Sequence, residues 1–438
     1  MNTVSLREVP SSLSAWYAVI ILLLAYVLSF VDRIIMSLLV IPIQKDLGIS
    51  DTQMGLLMGL AFAIFYTLVG VPIARLSDAK SRKIIVSVGI FLWSIMTAIC
   101  GLARSFIELF LARVGVGVGE ATLSPAAYSM IADYFPEDKL GKAIAVYQSG
   151  ALFGSGIAFI IGGAIVGLIV NSNATSLLFL GELQPWQLAF IIVGLPGVLM
   201  ALIMLTVKEP KRTGVKEDLG ETVSIKDAIE YMVKNWKVYI SVFLGFSMLA
   251  IPITTIFTWY PTYLQRIHDL SIGESGKILG LILFFLSSSG VFFGGWLIDF
   301  LKRRNYKDSF FRVGLIAAIL PVPFTLFVSS ISDLDATIIL LCPFIFLVSM
   351  PLAIGPIVLQ IISPNQLRAQ TGAIYMLFMN LLTAAIATTG IGFITDYIFK
   401  NPLEVGQSIM IVNVISAPLA FMALSFGLFH FNKTLTKG

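Results

Sequence analysis

Apolar residues run along this chain in long, nearly uninterrupted stretches separated by short polar punctuation. Twelve stretches are long enough to cross a hydrocarbon core, for which about 20 residues are needed. They lie near 16–40, 52–75, 84–102, 106–130, 143–170, 186–207, 238–265, 276–301, 312–331, 336–362, 371–398 and 407–430. In lipid each stretch must satisfy its own backbone polar groups, so every one is predicted to be a helix. Short loops predict antiparallel neighbours. The exception is the polar segment Lys208 to Lys237, with seven lysines and arginines, which divides the spans six and six. Within it Ser224 to Val233 has helical spacing (Ile225, Ile229, Met232, Val233) and predicts a short surface helix. The expected organisation is a six-helix bundle over 1–207, a loop over 208–237 and a second bundle over 238–438.

Composition agrees with an all-α polytopic membrane protein. Of 438 residues, 57% are hydrophobic and only 12% are charged, with a mean hydropathy of +0.92. That charged share is about half that of a soluble domain. The net charge of +4 does not point to nucleic acid; its placement reports topology. With the N-terminus inside, the inner segments hold 22 basic residues and the outer loops five, Lys45, Arg104, Arg266, Lys277 and Lys400. By the positive-inside rule both termini are expected in the cytoplasm. Cys100 and Cys342 sit in separate spans and predict no disulfide framework. His268 and His430 form no metal-spaced cluster, and no cofactor is expected. The run from Trp16 to Val40 is too long for a cleaved leader and reads as a retained first span. These features suit a bacterial inner membrane, and a monomer is expected.

An internal repeat relates the halves. Ala74-Arg-Leu-Ser-Asp78 followed by Arg82-Lys83 matches Gly295-Trp-Leu-Ile-Asp299 followed by Arg303-Arg304, at a constant offset of 221 residues. A weaker pair joins Pro136 and Tyr147 to Pro364 and Tyr375. Two six-span halves in parallel repeat are a transporter architecture with the solute site between them. Asp78, Arg82, Lys83, Asp299, Arg303 and Arg304 are the candidate cytoplasmic gate.

Four charges fall inside spans, well away from their ends: Asp32, Arg33, Arg113 and Glu120. Each costs roughly 2.5–3.5 kcal/mol at a helix centre on insertion scales, so pairing or a wet cavity is required. Asp32 lies about 12 Å from the outer end of the first span and Arg113 about 10 Å from the outer start of the fourth, which predicts that they meet. Glu120, seven residues on, shares the Arg113 face about two turns deeper. The second half carries almost no charge within its spans. Its polar contribution would come from Thr254, Thr255, Thr258, Trp259, Tyr260 and Tyr263, with Gln360, Asn380 and Thr383; Tyr147 is the matching candidate in the first half. A charged wall facing an apolar, aromatic one suits an amphipathic ligand, whereas sugars would call for more amide donors. Gly115-Val-Gly-Val-Gly119 is no dinucleotide loop, because it lies in an apolar span. Gly273-Glu-Ser275-Gly276 opens the eighth span, where Ser is an ordinary helix-start residue. No placed nucleophile–base pair or metal set argues for an enzyme.

The loop Ala74-Arg-Leu-Ser-Asp78-Ala-Lys-Ser-Arg82-Lys83 resembles the signature loop of the major facilitator superfamily, with Asp78, Arg82 and Lys83 fitting and Ala74, Ala79 and Ser81 departing. Arg113-Val-Gly-Val-Gly117 resembles that family's fourth-helix motif. Gly150-x-x-x-Gly154-Ser-Gly156 resembles a degenerate form of its fifth-helix motif, with Ser155 in place of the usual proline. A narrower resemblance, strongest over 25–165, is to the Spinster branch. It rests on Asp32-Arg33, on Arg113-Val-Gly-Val-Gly-Glu120-Ala and on Ile131-Ala-Asp133-Tyr-Phe. The resemblance implies twelve helices in two pseudo-symmetric bundles, alternating access and coupling through Asp32, Arg33 and Glu120. The expected partners are protons, membrane lipids and a small amphipathic or anionic solute. Lysolipids or sphingolipids lead, an organic-anion or sugar-acid symporter is the alternative, and a channel or passive scramblase is a further class.

Overall fold

The computed structural model describes residues 12–171, 176–177, 181–210, 212, 225–364 and 366–435. Among the described residues, eleven helical stretches are long and apolar enough to cross a bilayer. The fourth span makes twelve, divided into Phe106–Glu120 and Leu123–Tyr134. Pro125 explains the division: it has no amide to give the carbonyl of residue 121, so the helix pauses and restarts. The remaining spans are Ser12–Leu38, Asp51–Met58 continuing as Leu60–Ala79, Arg82–Cys100, Glu137–Asn171 and Pro185–Met204 in the first half. In the second half they are Trp236–Thr258, residues 272–303, 309–328, 334–362, 368–399 and Val405–Leu435. The predicted surface helix is Ile225–Lys234; residues 211 and 213–224 of the inter-half segment lie outside the described set. A hairpin pairing Ser176 with Glu182 joins the fifth and sixth spans.

With twelve spans crossing in alternation, Ser12, Leu435 and the inter-half segment fall on one side, called here the basic face; the other is the far face. Close contact between halves concentrates toward the far face. Gly156 and Gly280 bring the fifth and eighth spans backbone to backbone, since a Cβ on Gly280 would lie 2.7 Å from the Gly156 carbonyl oxygen. The second span rests on the eleventh in the same way: a Cβ on Gly55 would lie 2.6 Å from the Thr388 carbonyl oxygen. There the eleventh span widens into π-helix at Ala384–Gly390 and Ile394–Phe399.

A buried ion pair seals the far face. Arg266, on the short helix Tyr260–Ile267 that continues the seventh span, reaches both carboxylate oxygens of Asp51 on the second, at 2.7 and 2.9 Å. Gln44 bonds both partners, accepting from Arg266 and donating to Asp51 at 2.8 Å each. The eleventh span supplies Asp396, which accepts from the Thr52 amide at 2.7 Å and the Thr52 hydroxyl at 2.6 Å. The free amides at a helix start favour such an anion. Ser50 and Gln53 form a capping box at this helix start.

At the basic face the first half is tied to itself. Arg82 pairs with Asp133 and, at 2.9 Å, with Glu209, which also takes the Ser81 hydroxyl and the Lys83 amide at 2.8 and 2.9 Å. Burial opposes the ionised form of Glu209, but the amide of Lys83, the hydroxyl of Ser81 and the guanidinium of Arg82 outweigh it and hold the carboxyl below its ordinary range. A depressed native value stabilises the fold above the unfolded carboxyl range, near 4.5, and that stabilisation is lost as pH falls through the native value. Glu209→Gln is therefore expected to melt at a lower temperature than the parent at pH 7. The gap should close on acidification below 4.5; a gap that is constant from pH 7 to 3.5 would refute the assignment.

Candidate functional site

The four intramembrane charges converge, with different partners from those that depth alone predicts. Arg33 takes Glu120, its Nε donating to Glu120 Oε2 at 2.6 Å. The pair is asymmetric in exposure: 29% of the Arg33 side chain is accessible and none of Glu120. Arg113 donates to the backbone carbonyl of Asp32 at 3.3 Å, not to its carboxylate. Asp32 Oδ1, Arg113 Nε and Glu120 Oε1 are buried without a hydrogen-bond partner. The Asp32 carboxyl lies within the fields of Glu120, Arg113 and Arg33, so the four groups act as one electrostatic unit.

Local structure explains the arrangement. Glu120 is the last residue of the helix Phe106–Glu120, at a carbonyl-rich end that disfavours an anion, and Arg33 offsets that field. The fourth span approaches the second closely because Gly117 has no side chain; a Cβ there would lie 2.8 Å from the Phe62 carbonyl oxygen. That approach brings the Phe62 ring to both arginines, 4.6 Å from the Arg33 guanidinium and 5.8 Å from that of Arg113. Tyr66 and Phe30 complete the surround of Arg33 at 5.3 and 5.6 Å. Cation–π contacts of this kind contribute about 0.5–2 kcal/mol each, the more when desolvated. Tyr26 stacks on Tyr147 at 5.0 Å, and Tyr128 meets Tyr147 edge-on at 5.5 Å. Tyr26, Phe30, Phe62, Tyr66 and Tyr128 were not singled out from the sequence. An aromatic inside an apolar span carries no pattern that separates packing from cation contact.

Tyr147 is wholly buried, its hydroxyl 3.5 Å from that of Ser124, so it supports Tyr26 from behind. Trp259 and Tyr263 are also buried and belong to the far-face packing. Trp259 donates to the Thr388 carbonyl at 2.9 Å and Tyr263 to the Val328 carbonyl at 2.7 Å. Thr254 and Thr258 are half-buried, but their hydroxyls turn back to carbonyls of their own helix at 2.8 and 2.9 Å. Asn380 is half-buried and Gln360 exposed. Among the gate candidates, Arg82 is committed to Asp133 and Glu209, and Lys83 donates to the Leu205 carbonyl at 3.3 Å. Asp299, Arg303 and Arg304 are exposed, and the Asp78 side chain lies outside the described set. Arg82 thus pairs with Asp133, in the last turn of the fourth span, and with Glu209, just past the sixth.

A cluster of four charges walled by aromatic rings within an array of membrane-length helices is the arrangement expected of an α-helical membrane carrier. The Major Facilitator Superfamily profile matches residues 22–388, and the chain belongs to that family of transporters. It is similar to a bacterial homologue of the human lysosomal transporter Spinster, solved inward-facing and occupied. The identity is 27%, the TM-score 0.81, and the match covers 98% of this chain and 99% of that one. It is also similar to an MFS-type efflux pump of Mycolicibacterium smegmatis, 28% identical over 87% of this chain and 85% of that protein. A D-galactonate transporter of Escherichia coli is 26% identical over 68% of this chain and 70% of its own length. The Spinster resemblance read from Asp32-Arg33 and the fourth span thus extends along almost the whole chain.

Proposed function

We propose that this transporter is a proton-coupled secondary carrier working by alternating access, and that its cargo is an amphipathic organic solute with an anionic head, such as a lysolipid or a phosphorylated sphingolipid. The observation that carries the reading is the Arg33–Glu120 pair, with Glu120 shut away from water and Arg33 partly open. With both carboxyls ionised, Asp32, Arg33, Arg113 and Glu120 sum to zero charge. A proton on Glu120 releases Arg33, and a proton on either carboxyl leaves the cluster at +1, which an anionic head neutralises. Proton and solute then each favour the other's binding, and the coupling is reciprocal. The aromatic surround and the weakly polar opposite wall accept the apolar body. The basic face is assigned to the cytoplasm of a bacterial inner membrane, on the distribution of lysines and arginines.

Glu120→Gln in proteoliposomes is expected to bind solute but to lose accumulation driven by an imposed pH gradient, while counterflow without a gradient persists. Full gradient-driven accumulation by this variant would remove Glu120 from the coupling role.

A second reading is a sugar-acid symporter, favoured by the similarity to the D-galactonate transporter and by two arginines available to one carboxylate. Competition of uptake by lysolipids against sugar acids separates the two, since only the cargo class competes at low concentration.

A further inference from the structure

A cavity of about 630 Å³ lies apart from the charged site. Its walls come from the first, fifth and sixth spans, including Leu24, Leu28, Ile161 and Met200. Leu24 and Ile161 are 46% and 42% exposed, so the cavity opens outward. These spans are apolar enough to cross the bilayer, so that opening faces lipid. Its one hydroxyl, on Ser149, donates to the Val146 carbonyl of its own helix at 2.7 Å and has no proton left for a guest. Water gains almost nothing there, and an apolar cavity of this kind takes apolar guests. On the first span the lining runs from Leu23 to Val31, about 12 Å at helical rise, across the middle of the span Ser12–Leu38. One lining residue comes from the other half: Phe284 of the eighth span, whose ring lies 5.0 Å from that of Phe153 on the fifth.

We propose that this groove holds one acyl chain of a bilayer phospholipid as a resident, untransported ligand. The bilayer is the source because the groove opens into it at mid-span, where only acyl chains lie, and is dry. Through Phe284 the guest touches the joint between the halves, so its retention depends on which face of the carrier is open. The proposal holds whatever the cargo and whether or not transport is proton-coupled.

Native mass spectrometry of the purified full chain, released from detergent, tests it. The parent and a control, Leu202→Trp on the exposed face of the sixth span, are expected to retain one phospholipid that Leu24→Trp/Ile161→Trp loses. Equal retention by all three overturns the proposal. So does one-for-one displacement of that lipid by the transported solute, which would make the groove part of the cargo path. A second measurement uses the parent alone. A phospholipid with a mid-chain diazirine should label peptides 23–31 and 149–165 above other lipid-facing helices. Uniform labelling overturns the site even if the double variant fails to fold.

Discussion

Arg266→Met is expected to unseal the far face and shift the carrier toward its outward-open state by about 10²–10³-fold. The reasoning begins with burial: the side chains of Arg266 and Asp51 are 9% and 2% exposed and joined through both carboxylate oxygens. Removing one partner of such a pair leaves a stranded charge and costs about 3–5 kcal/mol. The cost falls on the closed state alone, because opening lets water reach Asp51. Gln44 still donates to Asp51 in the variant, which limits the loss. Spin labels at the exposed Arg104 and Leu403, one on each half, report the separation by double electron–electron resonance. The long-distance population should rise in Arg266→Met and in Asp51→Asn. An unchanged distribution in both would show that the glycine contacts hold the far face without the ion pair.

The second large effect concerns Arg33. Arg33→Ala is expected to abolish transport and lower thermal stability, because it strands the carboxyl of Glu120 at a helix end with no access to water. Arg33→Ala/Glu120→Gln should melt higher than Arg33→Ala alone, since removing both partners of a buried pair removes the stranded charge. Arg33→Lys keeps the charge but loses the planar face lying over Phe62 and Tyr66, and should fall between parent and Arg33→Ala. A thermal-denaturation double-mutant cycle measures this. Additive losses from Arg33→Ala and Glu120→Gln would mean the two side chains do not depend on one another.

Spans were legible because insertion into lipid leaves a one-dimensional mark, a long apolar run, that needs no knowledge of neighbours. The break in the fourth span was half legible: Pro125 is visible, but the restart after it depends on local packing. The surface helix was visible because Ile225, Ile229, Met232 and Val233 repeat at helical spacing. The partners of the charges were harder. Sequence gives the depth of Asp32 and Arg113 but not the rotation of each helix about its axis. Arg113 thus reaches the Asp32 carbonyl while Arg33 takes Glu120. Arg82 shows the same limit, since Glu209 is 127 residues away and meets it only after the sixth span returns to the basic face. Arg266 and Asp396 lie at helix ends, where a charge reads as ordinary solvated punctuation. Only the folded far face turns them into a seal.

The placement of charge in one half has an electrical consequence. Asp32, Arg33, Arg113 and Glu120 all belong to the first bundle, while the membrane-core stretches of the second carry almost none. In the proposed alternating-access cycle the second half sweeps little fixed charge through the membrane field, where each elementary charge is worth about 2.3 kcal/mol per 100 mV. The voltage sensitivity of a turnover is then set by what is carried: a proton moving with a monoanion transfers no net charge, and such a cycle runs at the same rate in a polarised and a depolarised membrane.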